Sequence, residues 1–281
     1  MKPAAPTPEP NAPSCDLRVG TSGYSYTEWI EAGFYPQGTP SGKMLPVYAQ
    51  NFTATELNHT WYQMPRADML ERQRQMVPPD FWFAAKLTRT LTHEVDPRGW
   101  RAQALAFRQG VAPLVQARQL AAVLVQLPPS FDYAVPHRRY LNDLLTELEG
   151  LPLAVEFRHK SWLQDAVFAG LAERRVTLVT VDEPQLPDLL PPLTLVTNPD
   201  LLYVRFHGRN TQGWRSGKMQ LQFDYDYSGA ELREWATERI RPMAERAGRG
   251  VLFFNNHVRG QAPRTAQALK KTLVAEGLPV R

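Results

Sequence analysis

Charged side chains gather at the downstream ends of short apolar runs in this chain, and they recur at strand spacing. Side chains two residues apart on a strand share a face. In Ala54–Asn58, Glu56 and Asn58 fall together, opposite Thr55 and Leu57. Glu156 and Arg158 oppose Val155 and Phe157, Thr180 and Asp182 oppose Val179 and Val181, and Arg205 and His207 oppose Val204 and Phe206. Lys86 ends a run in phase with Ala84, and Gln126 ends another in phase with Leu124. Glu56, Glu156, Asp182 and His207 are therefore the candidate catalytic groups, suited to moving protons near neutral pH. Lys86, Arg158 and Arg205 are suited to gripping an anion or stabilising developing negative charge. The competing reading is a ring of mutual salt bridges. Buried ion pairs are a poor source of net stability because desolvation offsets the attraction, so so many charges at one end favour a ligand site.

The elements that must hold these residues follow from the same pattern. Eight apolar, β-branched runs occur at Leu17–Gly20, Ala54–Asn58, Trp82–Lys86, Ala121–Gln126, Leu153–Phe157, Thr177–Val181, Leu202–His207 and Val251–Asn255. Near-continuous apolar runs suit parallel strands covered on both faces. Amphipathic segments separate them at Lys43–Phe52, Arg66–Met76, Gly99–Arg118, Pro136–Glu149, Ser161–Arg174, Ser228–Ala247 and Pro263–Glu276. Ser228 followed by Glu231 is the pattern of a capping box. Eight such runs, mostly alternating with helical segments, in 281 residues predict an α/β fold, a (β/α)8 TIM-like barrel, with the active site at the C-terminal strand ends. Between the sixth and seventh runs Pro184, Pro187, Pro191, Pro192 and Pro199 preclude a regular helix, so an irregular crossover is expected. Gly208–Tyr227 reads as an insertion after the seventh strand. A doubly wound sheet is the rival, but Gly20-Thr-Ser-Gly23 is not a dinucleotide fingerprint.

Further binding candidates lie just beyond the strands. Asn255 and Asn256 end the eighth run, where this fold often holds phosphate. Trp61 and Tyr62 sit on the loop after the second, where aromatic faces can stack on a sugar or base. With Asn58 and Gln126 they complete the expected substrate-binding set. No regular His/Cys spacing and no nucleophile elbow occurs. No cofactor is predicted, although a divalent metal on Glu56, Glu156, Asp182 and His207 is compatible with the residue types.

Composition sets the outer limits. The net charge of +4 admits anionic ligands without the basic stripe of a dedicated nucleic-acid binder. The one cysteine, Cys15, precludes a disulfide framework and fits a reducing, cytoplasmic setting. Nothing near it would make it reactive. Residues 1–15 read as a disordered Pro-rich tail and 16–281 as a single barrel domain, with no membrane span and an unassigned oligomeric state.

Several ordered motifs resemble the YecE-like family. They include Val19-Gly-Thr-Ser-Gly23, Phe34-Tyr-Pro36, Glu56-Leu-Asn58 with Trp61-Tyr62, and Phe83-Ala-Ala-Lys86. Gln126-Leu-Pro-Pro129, Glu156-Phe-Arg158, Tyr203-Val-Arg205 with His207-Gly208, Tyr225-Asp-Tyr227 and Phe254-Asn-Asn256 continue the series. The resemblance spans about residues 17–276. It implies a TIM-like barrel and a domain of unknown function, so the reaction stays open. The expected function is an enzyme, hydrolase or lyase/isomerase-like, using acid–base chemistry on a small anionic or phosphorylated substrate, sugar-like ones included. Glu156 or Glu56 would move the proton, so Glu156→Gln should remove turnover and leave the fold intact. The alternatives are a metal-dependent phosphodiesterase or endonuclease-like hydrolase, and a non-catalytic barrel that binds a nucleotide or nucleic acid. Nucleic acid is not the favoured partner.

Overall fold

The computed structural model describes residues 15–281; the rest of the proline-rich tail lies outside the described residues. Nine parallel strands form one sheet: β1 (Asp16–Ser22), β2 (Ala54–Leu57), β3 (Trp82–Lys86), β4 (Leu120–Gln126), β5 (Leu153–Glu156), β6 (Thr177–Leu178), β7 (Thr180–Asp182), β8 (Leu202–Phe206) and β9 (Arg249–Phe254). β6 and β7 are two halves of one run. β6 pairs with β5 and β7 with β8, and between them the Val179 N–H donates to the Val155 carbonyl at 2.9 Å. β9 pairs with both β1 and β8, so the sheet curls round into a barrel. The eight expected runs are thus the eight staves, the sixth of them broken.

Helices connect the strands: α1 (Glu28–Glu31), α2 (Ser41–Tyr48), α3 (His59–Tyr62), α4 (Ala67–Gln75), α5 (Trp100–Gln116), α6 (Val135–Glu147), α7 (Asp165–Glu173), α8 (Met219–Gln222), α9 (Gly229–Glu234), α10 (Arg241–Ala244) and α11 (Gln261–Ala275). A π-helical stretch, Trp235–Ile240, joins α9 to α10. The capping box is present: Glu231 N–H donates to Ser228 Oγ, and Ser228 N–H donates to Glu231 Oε2 at 2.8 Å. Residues 183–201 form no helix or strand, as the prolines require. The segment expected as a loop after the second strand is instead the short helix α3. Cys15, expected in the tail, is buried in the core, and burial pushes its thiol up to about 12.

Two apolar layers separate the faces of the sheet. The larger lies between sheet and helices, where Phe206 stacks on Phe254 at 4.4 Å and meets Trp235 edge-on. The smaller fills the barrel itself: Ala54, Ala84, Ala122, Leu124, Ala154, Val179, Val181, Tyr203, Val251 and Phe253. Small residues line most staves, and Tyr203 and Phe253 fill the space they leave. Gly20 is required by close approach, because a Cβ there would come within 2.1 Å of the Ala54 carbonyl oxygen. That packing role accounts for this glycine, which lies within β1, without a phosphate.

Candidate functional site

The residues two positions beyond the interior layer mark the top of the barrel. Stepping on from Ala54, Ala84, Ala154, Tyr203 and Phe253 gives Glu56, Lys86, Glu156, Arg205 and Asn255. A further step gives Asn58, Arg158 and His207. These side chains converge, as the strand period predicts.

Arg205 is the hub. Its Nε and Nη2 donate to the two oxygens of Glu56 at 2.9 and 2.8 Å, and its Nη1 donates to Glu156 Oε2 at 2.6 Å. The Tyr203 hydroxyl donates to Glu56 Oε2 at 2.6 Å. Arg158 Nε donates to the other oxygen of Glu156, its Nη1 to Glu183 Oε2 at 3.0 Å, and its Nη2 to His207 Nε2 at 2.8 Å. The second nitrogen of His207 lies 3.2 Å from the Asn255 carboxamide. Glu56, Glu156 and His207 are 0% exposed and Arg205 is 1% exposed, so the carboxylates and the imidazole are shielded from bulk solvent.

Charge and burial set the protonation states. Burial alone would raise Glu156, but the guanidiniums of Arg158 and Arg205 overcome it and hold the carboxyl well below its ordinary range. Burial, reinforced by the Arg158 charge, holds His207 well below its usual value, so the ring is neutral. Burial pushes Glu183 up to about 7 against the pull of Arg158, and Glu183 Oε1 has no hydrogen-bond partner. Burial, then the charge of Arg205, pushes Lys86 down to about 7; Glu56 and Glu156 oppose this in part.

Above the network lies an open cavity of about 640 Å³. Lys86, Arg158 and Arg205 form its charged floor, with Asn58, Gln126 and Asn255 between them. Trp61, Tyr62, Tyr26, His93 and His257 make an aromatic side. Trp214, Phe223 and Met219, from the insertion at 208–227, line the cavity together with Leu189. The insertion therefore walls the cavity. The one acid in the lining, Asp188, is at the rim and paired with Arg215.

The predicted residues divide into three groups. Asn58, Trp61, Tyr62, Lys86, Gln126, Arg158, Arg205 and Asn255 line the cavity. Glu56, Glu156 and His207 lie in the buried network behind them and are not part of the lining. Asp182 and Asn256 are elsewhere. Val179 and Val181 pack in the barrel interior, so Asp182 points outward, where it accepts from Arg209 Nε at 2.8 Å. Asn256 is likewise out of phase and donates to the Tyr225 carbonyl at 2.8 Å. The strand phase expected for Asp182 is therefore corrected, and Asn256, expected from its place after the eighth strand, turns away from the cavity. On the sixth stave the inward acid is Glu183, which sequence reasoning missed; counting on from the apolar residues Val179 and Val181 would have found it. No cluster of three or more His, Cys, Asp or Glu side chains among the described residues has metal-binding geometry. The oxygens of Glu56 and Glu156 are already engaged by arginine and tyrosine donors. No helix among the described residues is long and apolar enough to cross a membrane.

The neutral state of His207 makes fold stability pH-dependent. Its folded value is depressed, so the unfolded chain binds the extra proton below the ordinary value of 6.5. Stability is therefore fully present above that pH and falls below it, by roughly 1.4 kcal/mol per unit for one such histidine. Glu183, whose folded value is raised, acts with the opposite sign between its ordinary 4.5 and about 7. His207→Gln keeps a hydrogen-bonding group and removes the titration. Because Glu183 is common to both chains, the stability difference between variant and parent isolates the histidine: in urea unfolding it should shift in the variant's favour between pH 7.5 and pH 5; a difference that does not change with pH would mean that the ring titrates alike in the folded and unfolded chain.

A closed parallel barrel with a polar cavity at its C-terminal strand ends places the chain in the TIM-like class. The family model described as "Protein of unknown function DUF72" matches residues 18–280, and the chain belongs to that family. It is 28% identical over 275 residues to UPF0759 protein YunF of Bacillus subtilis, covering 92% of this chain and 95% of that one. It is 27% identical over 175 residues to UPF0759 protein YecE of Escherichia coli, covering 59% of each. Among solved structures, a DUF72 family protein of Thermotoga maritima aligns with a TM-score of 0.83 at 33% identity, over 92% of this chain and 99% of that one. One from Enterococcus faecalis aligns with a TM-score of 0.81 at 27% identity, over 92% and 95%. The YecE-like resemblance in the motifs and the barrel fold are both borne out.

Proposed function

We propose that the chain is an enzyme that binds a small phosphorylated or carboxylated substrate in the strand-end cavity and works on it by proton transfer, with Lys86 as the proton-moving group. The observation that carries this reading is the charge of the cavity floor. Its charged groups are Lys86, Arg158 and Arg205, while their counter-ions Glu56 and Glu156 are buried behind them. Guanidinium groups bind carboxylate and phosphate through parallel hydrogen bonds. An ion-paired carboxylate out of reach of substrate is a poor general base, so the proton role passes from Glu156 and Glu56 to the lysine. An amine poised near 7 suits general acid–base work at neutral pH. The metal-dependent reading has no assembled ligand set among the described residues.

Calorimetric titration with glycerol 3-phosphate, against glycerol as the uncharged control, tests the binding step. Only the phosphate ester should bind. Arg158→Met should weaken it at least tenfold, which corresponds to about 1.4 kcal/mol. Equal or absent binding of both compounds would refute the anion site.

One feature supports a second reading. Tyr62 is 55% exposed beside Trp61, a ready stacking surface for the base of a nucleotide. A nucleoside monophosphate that binds at least tenfold tighter than glycerol 3-phosphate, with the gain lost in Trp61→Ala, would favour a nucleotide-binding barrel.

A further inference from the structure

We propose that Lys86 forms an imine with its substrate, and that the substrate is therefore a small carbonyl compound bearing a phosphate or carboxylate. This rests on the anion-binding reading above; it adds the reacting group of the ligand and makes the Lys86 amine a nucleophile in place of a proton carrier. Lys86 ends β3 in phase with Ala84, and its side chain lines the cavity. Among the described residues no carboxylate lies within ion-pair distance of its Nζ. The two acids it would otherwise pair with are held by Arg205 and Arg158. On one side the amine faces the Trp61 ring, 5.0 Å from the centroid. The charges of Arg205 and Arg158 act on it from the floor.

A lysine recruited only to attract anions gains by keeping its charge, through solvent or a carboxylate partner. Here Lys86 is half-buried in the cavity lining and has no carboxylate partner among the described residues, and the surroundings favour the uncharged amine. The free amine is the nucleophilic form. Its lone pair attacks the carbonyl carbon while the C=O π pair moves to oxygen. A proton passes from nitrogen to that oxygen and gives the carbinolamine. The hydroxyl leaves as water with one proton from solvent, and the nitrogen lone pair forms the C=N bond of an iminium. No oxidant or reductant is consumed. The new positive charge sits where Glu56 and Glu156 exert attraction. Arg158 and Arg205 hold the anionic end of the same molecule.

Borohydride trapping on the full chain decides the matter. Dihydroxyacetone phosphate and pyruvate are the carbonyl probes. Dihydroxyacetone is the uncharged control, and glycerol 3-phosphate is the competitor that cannot form an imine. Peptide mapping should find one reduced adduct per chain at Lys86 with at least one anionic probe. That labelling should exceed labelling at the exposed Lys43, Lys160, Lys218 and Lys271 at least tenfold. Glycerol 3-phosphate should suppress it at least tenfold, and Lys86→Met should abolish it. If glycerol 3-phosphate binds but Lys86 is labelled no faster than the surface lysines, the imine is refuted and the anion site stands. If dihydroxyacetone labels Lys86 as well as its phosphate does, the anionic substrate class is refuted. If glycerol 3-phosphate does not bind and Lys86 is not labelled, both readings fall.

Discussion

Replacing Arg205 with methionine is expected to cost the fold about 3–5 kcal/mol, the usual consequence of stranding a buried charge. Methionine fills much of the volume but returns none of the hydrogen bonds. Glu56 would keep the Tyr203 hydroxyl and lose both guanidinium contacts, and Glu156 would keep only Arg158 and the neutral His207 beside it. Against a typical total of 5–15 kcal/mol, a loss of this size moves the urea midpoint far enough to measure with ease. The double variant Arg205→Met/Glu56→Gln should recover part of it, because one uncompensated charge has been removed. A midpoint within experimental error of the parent would show that water or a shared proton satisfies the carboxylates, and that the network is not dry.

Glu156→Gln has the second largest expected effect, and structure reverses what the residue types suggest. A catalytic carboxylate would tolerate this near-isosteric swap with its fold intact. A counter-ion clamped by two guanidiniums does not, since the swap leaves Arg158 and Arg205 with half their compensation. A loss of about 3 kcal/mol at pH 7 is expected. The pH dependence identifies its cause. Glu156 has a depressed folded value, so its stabilisation is present above the ordinary glutamate value of 4.5 and is lost as pH falls through the folded value. Parent and variant stabilities should therefore converge in urea titrations as pH drops from 7 toward 3.5. Equal stability at pH 7 would remove Glu156 from the framework and return it to the list of candidate acids.

These expectations show which parts of the site were legible in the chain. The period of two aligned Glu56, Lys86, Glu156, Arg205 and Asn255 with the barrel interior, because each follows small or apolar neighbours in step. It failed on the sixth stave, where Thr180 and Asp182 look polar and Val179 and Val181 look like an outer face. A barrel is apolar inside as well as outside below its rim, so two valines in step fit either side. The valines in fact pack with Leu124, Ala154 and Tyr203, and the acid that enters the site is Glu183, next to Pro184 and beyond the regular strand. Depth was not legible either. Sequence places Glu156 and Arg158 on one face with equal weight. Only the packed structure puts the carboxylate behind the guanidinium and leaves the cation facing the cavity.

The proline-rich passage from 183 to 201 has a double position in the molecule. It takes the place of a covering helix on one flank of the barrel, and through Asp188 and Leu189 it also supplies part of the cavity wall. Its length is not tied to helical turns or to the strand register. Insertions or deletions there can widen or narrow the mouth while the ionic floor stays in place. Changes of length along this one irregular strap would therefore alter the width of the mouth without moving the strands that carry Lys86 and Arg205.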